Sequence, residues 1–487
     1  MSETPAAEVG PMHDDASHRR GAPAPAAGRA TGPEPIRPGT GGAGATGPGE
    51  TAPARGAASP DAVERIAAKY RPASPPPPRH RLLALLGPAF VAAVAYVDPG
   101  NVAANITAGA RYGYLLVWVL VAANTMAVLI QYQSAKLGIV TGRSLPQMLG
   151  GRLSRPMRLA YWAQAELVAA ATDLAEIIGG AIALHLITGI PLLAGGLALG
   201  VVSMLLLALQ ERRSQRTFEG VVIALLVVVT VGFVGGLVVA PPHWGAVLAG
   251  VVPRLEGTGS LLVAASMLGA TVMPHAIYLH SSLVRDHHRE LAGAPRQGAA
   301  GEHTHRLIRA TRVDVVWALA VAGAVNIALL LLASSALAGE EGTDTIEGAH
   351  AAITAHLGPA IGLIFAVGLL ASGLASTSVG AYAGSEIMAG LLRLRIPLLV
   401  RRAVTLLPAL LIIAAGAEPT WALVLSQVVL SFGIPLAVVP LMRLTGSGAV
   451  MGPWRDGAAL RWSARAAAGL IIALNAALVV LTVRGQA

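Results

Sequence analysis

A carboxylate and an amide flank a Pro-Gly pair inside an apolar run, in the stretch Asp98-Pro99-Gly100-Asn101. The run covers about residues 82–110, which is long enough to cross a bilayer. Inserting a carboxylate at the centre of a membrane costs about 2.5–3.5 kcal/mol, so a carboxylate there usually has a function. Because proline removes a backbone donor and glycine relaxes the backbone, the stretch predicts a broken helix. The freed carbonyl groups and the carboxylate are ligands for a cation, and the alternative is a kinked helix with a paired Asp.

A second apolar run is interrupted in the same way, between Ala270 and His275. Met273 precedes the proline of this run, and a thioether is a ligand that transition metals accept and that Mg²⁺ and Ca²⁺ do not favour. Taken alone, a buried methionine is more often a packing residue. Its position beside Pro274 and opposite Asp98 favours a metal ligand. The two breaks therefore predict one site for a divalent transition metal.

Titratable groups follow in the third apolar run, which carries Glu166, Asp173 and Glu176. Their spacing of i, i+7 and i+10 places all three on one face of a helix. Acids in such a run imply partners or a polar path. Arg401 and Arg402 are candidate partners, with membrane-interface anchoring as the alternative.

Histidine titrates near neutral pH, so His275, two residues after Met273, is a candidate proton carrier. The alternative is a structural histidine held by hydrogen bonds. With the acids and arginines, the predicted proton pathway comprises Glu166, Asp173, Glu176, His275, Arg401 and Arg402.

The composition is that of a polytopic membrane protein. Of the 487 residues, 54% are hydrophobic and 13% are charged, against about 25% charged in a soluble protein. The chain has no cysteine, which excludes disulfides and thiolate metal sites. The net charge of +9 does not indicate nucleic-acid binding, because cationic loops are expected on the cytoplasmic side of a membrane protein. No hydrolase-type constellation appears, so the chain is not expected to be an enzyme.

Eleven spans are predicted, and the two breaks fall in the first and the sixth. Spans 1–5 and 6–10 form two halves, and because five is odd the halves enter the membrane from opposite faces. Broken helices at matching positions of two inverted halves indicate the central site of a transporter. The predicted spans are 82–110, 114–139, 157–187, 191–209, 218–240, 257–285, 307–337, 359–390, 396–417, 419–442 and 462–484.

Residues 1–78 are rich in Ala, Pro and Gly without an apolar period, which predicts a disordered tail. The tail and alternate loops hold most of the Lys and Arg residues. Only Arg111, Arg254 and Arg484 fall on the opposite side. We therefore expect a cytoplasmic N-terminus and, for an odd number of spans, a C-terminus outside.

Six stretches of the chain together match the motifs of one transporter family: Asp98–Asn101, Ser134–Gly142, Ala171–Glu176, Met273–His275, Ile277–His280 and Ser426–Ser431. On these stretches, the chain from about residue 80 to 485 resembles the Nramp family of proton-coupled manganese and iron transporters. The resemblance implies an all-α LeuT-like fold, with a ten-helix transport core at 79–442 (repeats 82–240 and 257–442), followed by a loop and an eleventh helix at 443–487. It also implies that Asp98, Asn101, Met273 and the carbonyls of Ala95 and Ala270 bind the metal, joined in some conformations by Gln427.

By this resemblance the chain imports Mn²⁺ and Fe²⁺, together with Co²⁺ and Cd²⁺, across the cytoplasmic membrane. Its partners would be divalent metal ions, protons and the lipid bilayer, with no resident cofactor and no nucleic acid. Two other classes stay open. A sodium-coupled amino-acid carrier shares the broken-helix architecture but has no use for a thioether facing a carboxylate. A divalent-cation channel would use rings of acids or carbonyls around a symmetric pore.

A His-rich and Gly-rich loop is expected between the sixth and seventh spans, at 286–305. Clustered histidines can bind metal, but we interpret these as residues of a solvated loop. They are His287, His288, His303 and His305.

Overall fold

The computed structural model describes residues 87–212, 215–291, 300–339, 342–343 and 345–483. Within these ranges the chain is helical and contains no strand. The predicted tail at 1–78 and the first residues of the predicted first span lie outside the described residues.

Seventeen α-helices cover the described ranges, with short 3₁₀ turns at Ala95–Val97, Gly113–Leu116 and Gly452–Trp454. The helices are α1 Pro88–Val94, α2 Pro99–Tyr112, α3 Val117–Thr141, α4 Leu145–Gly150, α5 Arg155–Thr188, α6 Leu192–Arg212, α7 Gln215–Val239, α8 Trp244–Gly250, α9 Gly257–Thr271, α10 Pro274–Leu291, α11 Ala300–Ala336, α12 Ile346–Leu357, α13 Pro359–Leu392, α14 Leu398–Ala414, α15 Pro419–Thr445, α16 Gly448–Met451 and α17 Ala458–Val483.

Seven helical segments of the described part are long and apolar enough to cross a membrane. Each of the eleven predicted spans overlaps one of the helices or a broken pair of them. The all-α membrane fold is thereby confirmed, and the number of eleven crossings stays a prediction.

Both predicted breaks are present. The first span consists of α1, a 3₁₀ turn and α2, and Asp98 between them is extended, with φ −75° and ψ 166°. The sixth span consists of α9 and α10, separated at Val272, whose φ of −98° and ψ of 85° are not helical. The second helix of each broken span, α2 or α10, begins with a proline. At this first helical position the missing N–H costs no hydrogen bond, and the proline ring already has the helical φ.

The two halves pack on each other in a reciprocal way. The third and eighth spans, α5 and α13, share the most extensive interface of the described chain. The first span's α2 packs on α11 of the seventh, and the sixth span's α10 packs on α3 of the second. This reciprocal packing is the one that two inverted repeats produce, and it brings the breaks of both halves into the protein interior.

The predicted loop at 286–305 is too long. Helix α10 continues to Leu291, and α11 begins at Ala300, so both ends of the predicted loop are helical. The apolar pattern stops before the helices do, so the polar residues near the helix ends have the composition of a loop. Residues 292–299 lie outside the described residues.

Candidate functional site

Asp98 is the N-cap of α2. Its Oδ1 accepts hydrogen bonds from the backbone N of Asn101 at 2.9 Å and from Asn101 Nδ2 at 2.6 Å. An acidic N-cap satisfies a free helical N–H and lies at the positive end of the helix dipole. Asp98 is 1% exposed, so the protein shields this carboxylate from water.

The two helix breaks meet at Asn101. Besides Asp98, Asn101 Nδ2 donates to the carbonyl oxygen of Ala270 in α9 at 3.0 Å. Thr271 Oγ1 donates its proton to the Met267 carbonyl at 2.6 Å and lies 3.3 Å from Asn101 Oδ1. A carboxylate oxygen from one break and a carbonyl oxygen from the other therefore converge on a single donor atom, and oxygen atoms that converge in this way can share a cation.

Gln427 of α15 lies against the same break. A Cβ atom placed on Gly100 would lie 2.1 Å from Gln427 Nε2 and 3.2 Å from Asp98 Oδ2. The absence of a side chain at Gly100 thus lets the amide of the tenth span approach the carboxylate of the first. Gln427 is 6% exposed.

Met273 and Ala95 complete the predicted ligand set at the breaks. Met273 lies between Val272 and the first residue of α10 and is fully buried, and Ala95 begins the 3₁₀ turn that leads to Asp98. Both belong to one cluster of buried residues. The structure thus places all six predicted metal-site residues at the breaks or beside them.

A buried polar network joins the first span to its neighbours. Gln131 of α3 donates to Tyr96 Oη at 2.7 Å, and its Oε1 lies 2.8 Å from His280 Nδ1. Asn326 of α11 donates to the Tyr96 carbonyl at 2.8 Å and accepts from Asn105 at 2.9 Å. These groups fix the segment leading into Asp98 from two sides.

The third-span acids lie against the two arginines of the ninth span. Arg401 Nη2 is 2.6 Å from Glu166 Oε1, and Arg402 Nη1 is 2.5 Å from Asp173 Oδ1. Arg402 is the largest fully buried side chain of the described chain. Its guanidinium also donates to Thr377 Oγ1 at 2.7 Å and to Ser203 Oγ at 3.0 Å. A buried charge needs such partners, because leaving one unpaired costs several kcal/mol.

Glu176 makes no ion pair among the described residues, although Arg402, which pairs with Asp173, lies within its electrostatic range. It is fully buried and lies within electrostatic range of the carboxyl groups of Asp98 and Asp173. His275 is also buried, lies within electrostatic range of Asp173 and makes no hydrogen bond to the described residues. Glu176 is therefore within electrostatic range of both the metal-site carboxylate and the Asp173–Arg402 ion pair.

The N-terminal end of α1 is held by a carboxylate from the seventh span. Asp314 accepts from the backbone N of Gly87 at 3.1 Å and from that of Ala89 at 3.0 Å. Beside this cap, His287 Nδ1 lies 3.4 Å from Glu219 Oε2. These contacts fasten the first half-helix to α7, α10 and α11.

The expectation that the histidines near residue 290 belong to a solvated loop is wrong for His287. It is a buried helical residue next to Glu219. His303 and His305 are exposed residues of α11, and His305 contacts the ring of Trp454. His288 is helical too. Within the described ranges, no group of three His, Asp or Glu side chains is arranged to hold a metal ion.

The family model described as "Natural resistance-associated macrophage protein-like", Nramp, matches residues 89–481. The chain belongs to the Nramp family. The match covers all of the helices that carry the site, so the resemblance stated from the motifs is confirmed.

Curated relatives that are named metal transporters match the chain at high identity. The divalent metal cation transporter MntH of Mycobacterium tuberculosis is 58% identical over 401 residues, which cover 82% of this chain and 92% of the relative. MntH of Deinococcus radiodurans is 45% identical over 416 residues, covering 84% and 93%. These relatives are named as transporters, and the expectation that the chain is not an enzyme is confirmed.

A solved structure of a manganese transporter has the same fold. The crystal structure of the Eremococcus coleocola manganese transporter, in complex with an aromatic bis-isothiourea substituted compound, superposes with a TM-score of 0.75 at 30% identity. The match covers 83% of this chain and 88% of the other.

Proposed function

We propose that this Nramp protein imports divalent transition metal ions, Mn²⁺ and Fe²⁺ together with Co²⁺ and Cd²⁺, and couples their entry to protons. The relatives are named divalent metal cation or manganese transporters. The observation that carries the proposal is the convergence of Asp98 Oδ1 and the Ala270 carbonyl on Asn101 Nδ2, next to the buried Met273.

The donor set suits a partly dehydrated divalent ion. The carboxylate supplies charge, the Ala95 and Ala270 carbonyls and the Asn101 amide supply neutral oxygen atoms, and Met273 supplies sulfur. The Asn101 amide group now bridges two of these ligands through its N–H bonds. When the metal binds, the amide turns its oxygen toward the ion, and the ion replaces the two hydrogen bonds.

Transport proceeds by alternating access around this fixed site. Asp98, Asn101 and Met273 are at most 1% exposed, so water does not reach them in this conformation. Release on the side of α1 requires the Asp314 cap and the His287–Glu219 contact to open. In the cytoplasmic membrane, with the N-terminus in the cytoplasm and the C-terminus outside, that opening faces the cytoplasm.

Protons leave the metal-site region along the third span. The route runs from Asp98 past His275 and Glu176 to the Asp173–Arg402 pair and then to the Glu166–Arg401 pair. This separates the proton path from the metal path, because the arginines on the proton path repel a divalent cation.

Uptake of radioactive Mn²⁺ into proteoliposomes, with and without a pH gradient and with Na⁺ present or absent, tests this function. We expect saturable uptake that is stimulated by external acid and indifferent to Na⁺. Na⁺-dependent uptake of amino acids without Mn²⁺ transport would support the amino-acid carrier. Uptake that does not saturate and runs at channel-like rates would support a channel.

The proton path predicts a separable phenotype. Replacing His275 with Ala, or Asp173 or Glu176 with its amide, should lower the number of protons that enter per Mn²⁺ while leaving measurable metal uptake, because none of these groups is a metal ligand. A pH-sensitive dye inside the vesicles and radioactive Mn²⁺ measure the two fluxes together. The exposed Glu418→Gln serves as the control. A wild-type ratio in all three variants would contradict the path.

A further inference from the structure

The proline of the first break fits into a notch in the third span. A Cβ atom on Gly179 would lie 2.2 Å from Cβ and 2.6 Å from Cγ of Pro99. A real Cβ atom does not come within 3.0 Å of another non-bonded heavy atom, so only glycine allows this approach. Because the pyrrolidine ring is rigid, Pro99 has no rotamer by which it could avoid a larger residue.

The second break has a corresponding seat. A Cβ atom on Gly433 of α15 would lie 2.8 Å from Cγ2 of Val168, 2.9 Å from Cγ of Pro274 and 3.0 Å from Gln164 Nε2. The helices that carry the two glycines, α5 and α15, pack on each other. The prolines that begin α2 and α10 are therefore both seated on one pair of packed helices.

We propose that Gly179 is a positioning residue of the metal site: its notch holds Pro99 against the third span and thereby sets where Asp98 and Asn101 stand relative to the second break. Pro99 is covalently next to Asp98, so a displacement of its ring moves the carboxylate with it. The inference rests on the proposed function, because it assumes that Asp98 binds the metal.

The same notch links the metal site to the proton path. Gly179 follows Glu176 by three residues, which places both on one face of α5. A movement of this turn of the third span is passed directly to Pro99. The notch therefore makes the positions of Asp98 and Glu176 interdependent.

The neighbouring Gly180 provides a matched control. A Cβ atom there would meet the methyl ends of Leu199, the nearer at 2.4 Å, and these can move by a change of rotamer. Gly179→Ala and Gly180→Ala add the same methyl group to the same turn of the same buried helix. Only the first of them presses on the break.

Mn²⁺ binding to the purified full chain in detergent, measured by titration calorimetry, tests the proposal. We expect Gly179→Ala to raise the Kd for Mn²⁺ about tenfold and Gly180→Ala to leave it within about twofold of wild type, with similar melting temperatures for the two variants. A Kd for Gly179→Ala within twofold of that for Gly180→Ala would overturn the proposal. Absence of Mn²⁺ binding by the wild type would instead overturn the proposed function.

A double-mutant cycle distinguishes the notch from a general effect on α5. Pro99→Gly removes the ring that an alanine at position 179 would strike, so adding Gly179→Ala to Pro99→Gly should change Kd little further. Effects that multiply in the double variant would contradict the notch. If Gly179→Ala does not fold, Pro99→Gly alone decides: because it empties the notch, Kd should rise, and an unchanged Kd would overturn the proposal.

Discussion

Replacing Asp98 with Asn should reduce Mn²⁺ uptake by about 100-fold or more. Asp98 is the only carboxylate at the point where the two breaks meet in the described chain. Two unit charges 4 Å apart attract by about 4 kcal/mol at an effective dielectric constant of 20, and each 1.4 kcal/mol is tenfold in affinity. The buried position of Asp98 keeps water from screening this attraction.

Asp98→Asn removes the negative charge and keeps the size and capping ability of the side chain. Asparagine is as good an N-cap as aspartate, so the bond from the Asn101 backbone N and the start of α2 are retained. We therefore expect normal membrane insertion and a melting temperature near that of wild type. Uptake of radioactive Mn²⁺ into proteoliposomes measures the effect, with Glu418→Gln as a control that removes an exposed carboxylate. Near-normal transport by Asp98→Asn would refute the proposed site.

The breaks were predictable from sequence because their cause is local. A proline in a helix interior removes a hydrogen bond, so Pro99 with Gly100 marks a break or a helix start, and Asp98 is conspicuous in an apolar run. The same holds for Pro274. Local signals of this kind need no knowledge of the tertiary structure.

Contacts between distant segments of the chain could not be predicted from the sequence. The sequence supplied Arg401 and Arg402 as partners for acids, but only the packing of α14 on α5 shows which acid each one meets. The Asp314 cap on α1 joins residues more than 200 positions apart. The hydrophobic periodicity of the sequence carries no information about such pairs.

The orientation of the Asn101 amide was equally beyond the sequence. An asparagine at this position indicated a metal ligand, yet in the structure the side-chain N–H groups of Asn101 bridge Asp98 and Ala270. Gly179 gave no signal at all, because a glycine in an apolar helix is common in membrane proteins. Its importance appears only when the ring of Pro99 is seen against it.

Replacing Met273 with Ala should change which ions the protein accepts, by tenfold or more for Cd²⁺. The oxygen ligands at Asp98, Asn101 and the carbonyls would bind Ca²⁺ and Mg²⁺ as well as Mn²⁺. The thioether is a donor that only softer ions use well, so it penalises the abundant hard ions. Without it, Mn²⁺ can take water in the vacant position and should still be transported. Cd²⁺ should lose most, because it gains most from sulfur.

The decisive measurements are Mn²⁺ uptake by Met273→Ala in millimolar Ca²⁺, and Cd²⁺ uptake without Ca²⁺. We expect Ca²⁺ to inhibit the variant at concentrations that leave the wild type unaffected. Met267→Ala is the matched control, because Met267 is also fully buried, one helical turn before Thr271. Both substitutions leave a cavity, whose cost is about 2–5 kcal/mol of stability.

The comparison of the two variants separates coordination from packing. If Met273 only fills space, both variants should lose stability and neither should change ion preference. If Met273 binds the metal, only its replacement should admit Ca²⁺ and weaken Cd²⁺ transport, whatever the loss of stability. Unchanged Ca²⁺ exclusion and Cd²⁺ transport in Met273→Ala would assign this residue to packing, and selectivity would then have to come from the oxygen ligands and the geometry of the two breaks.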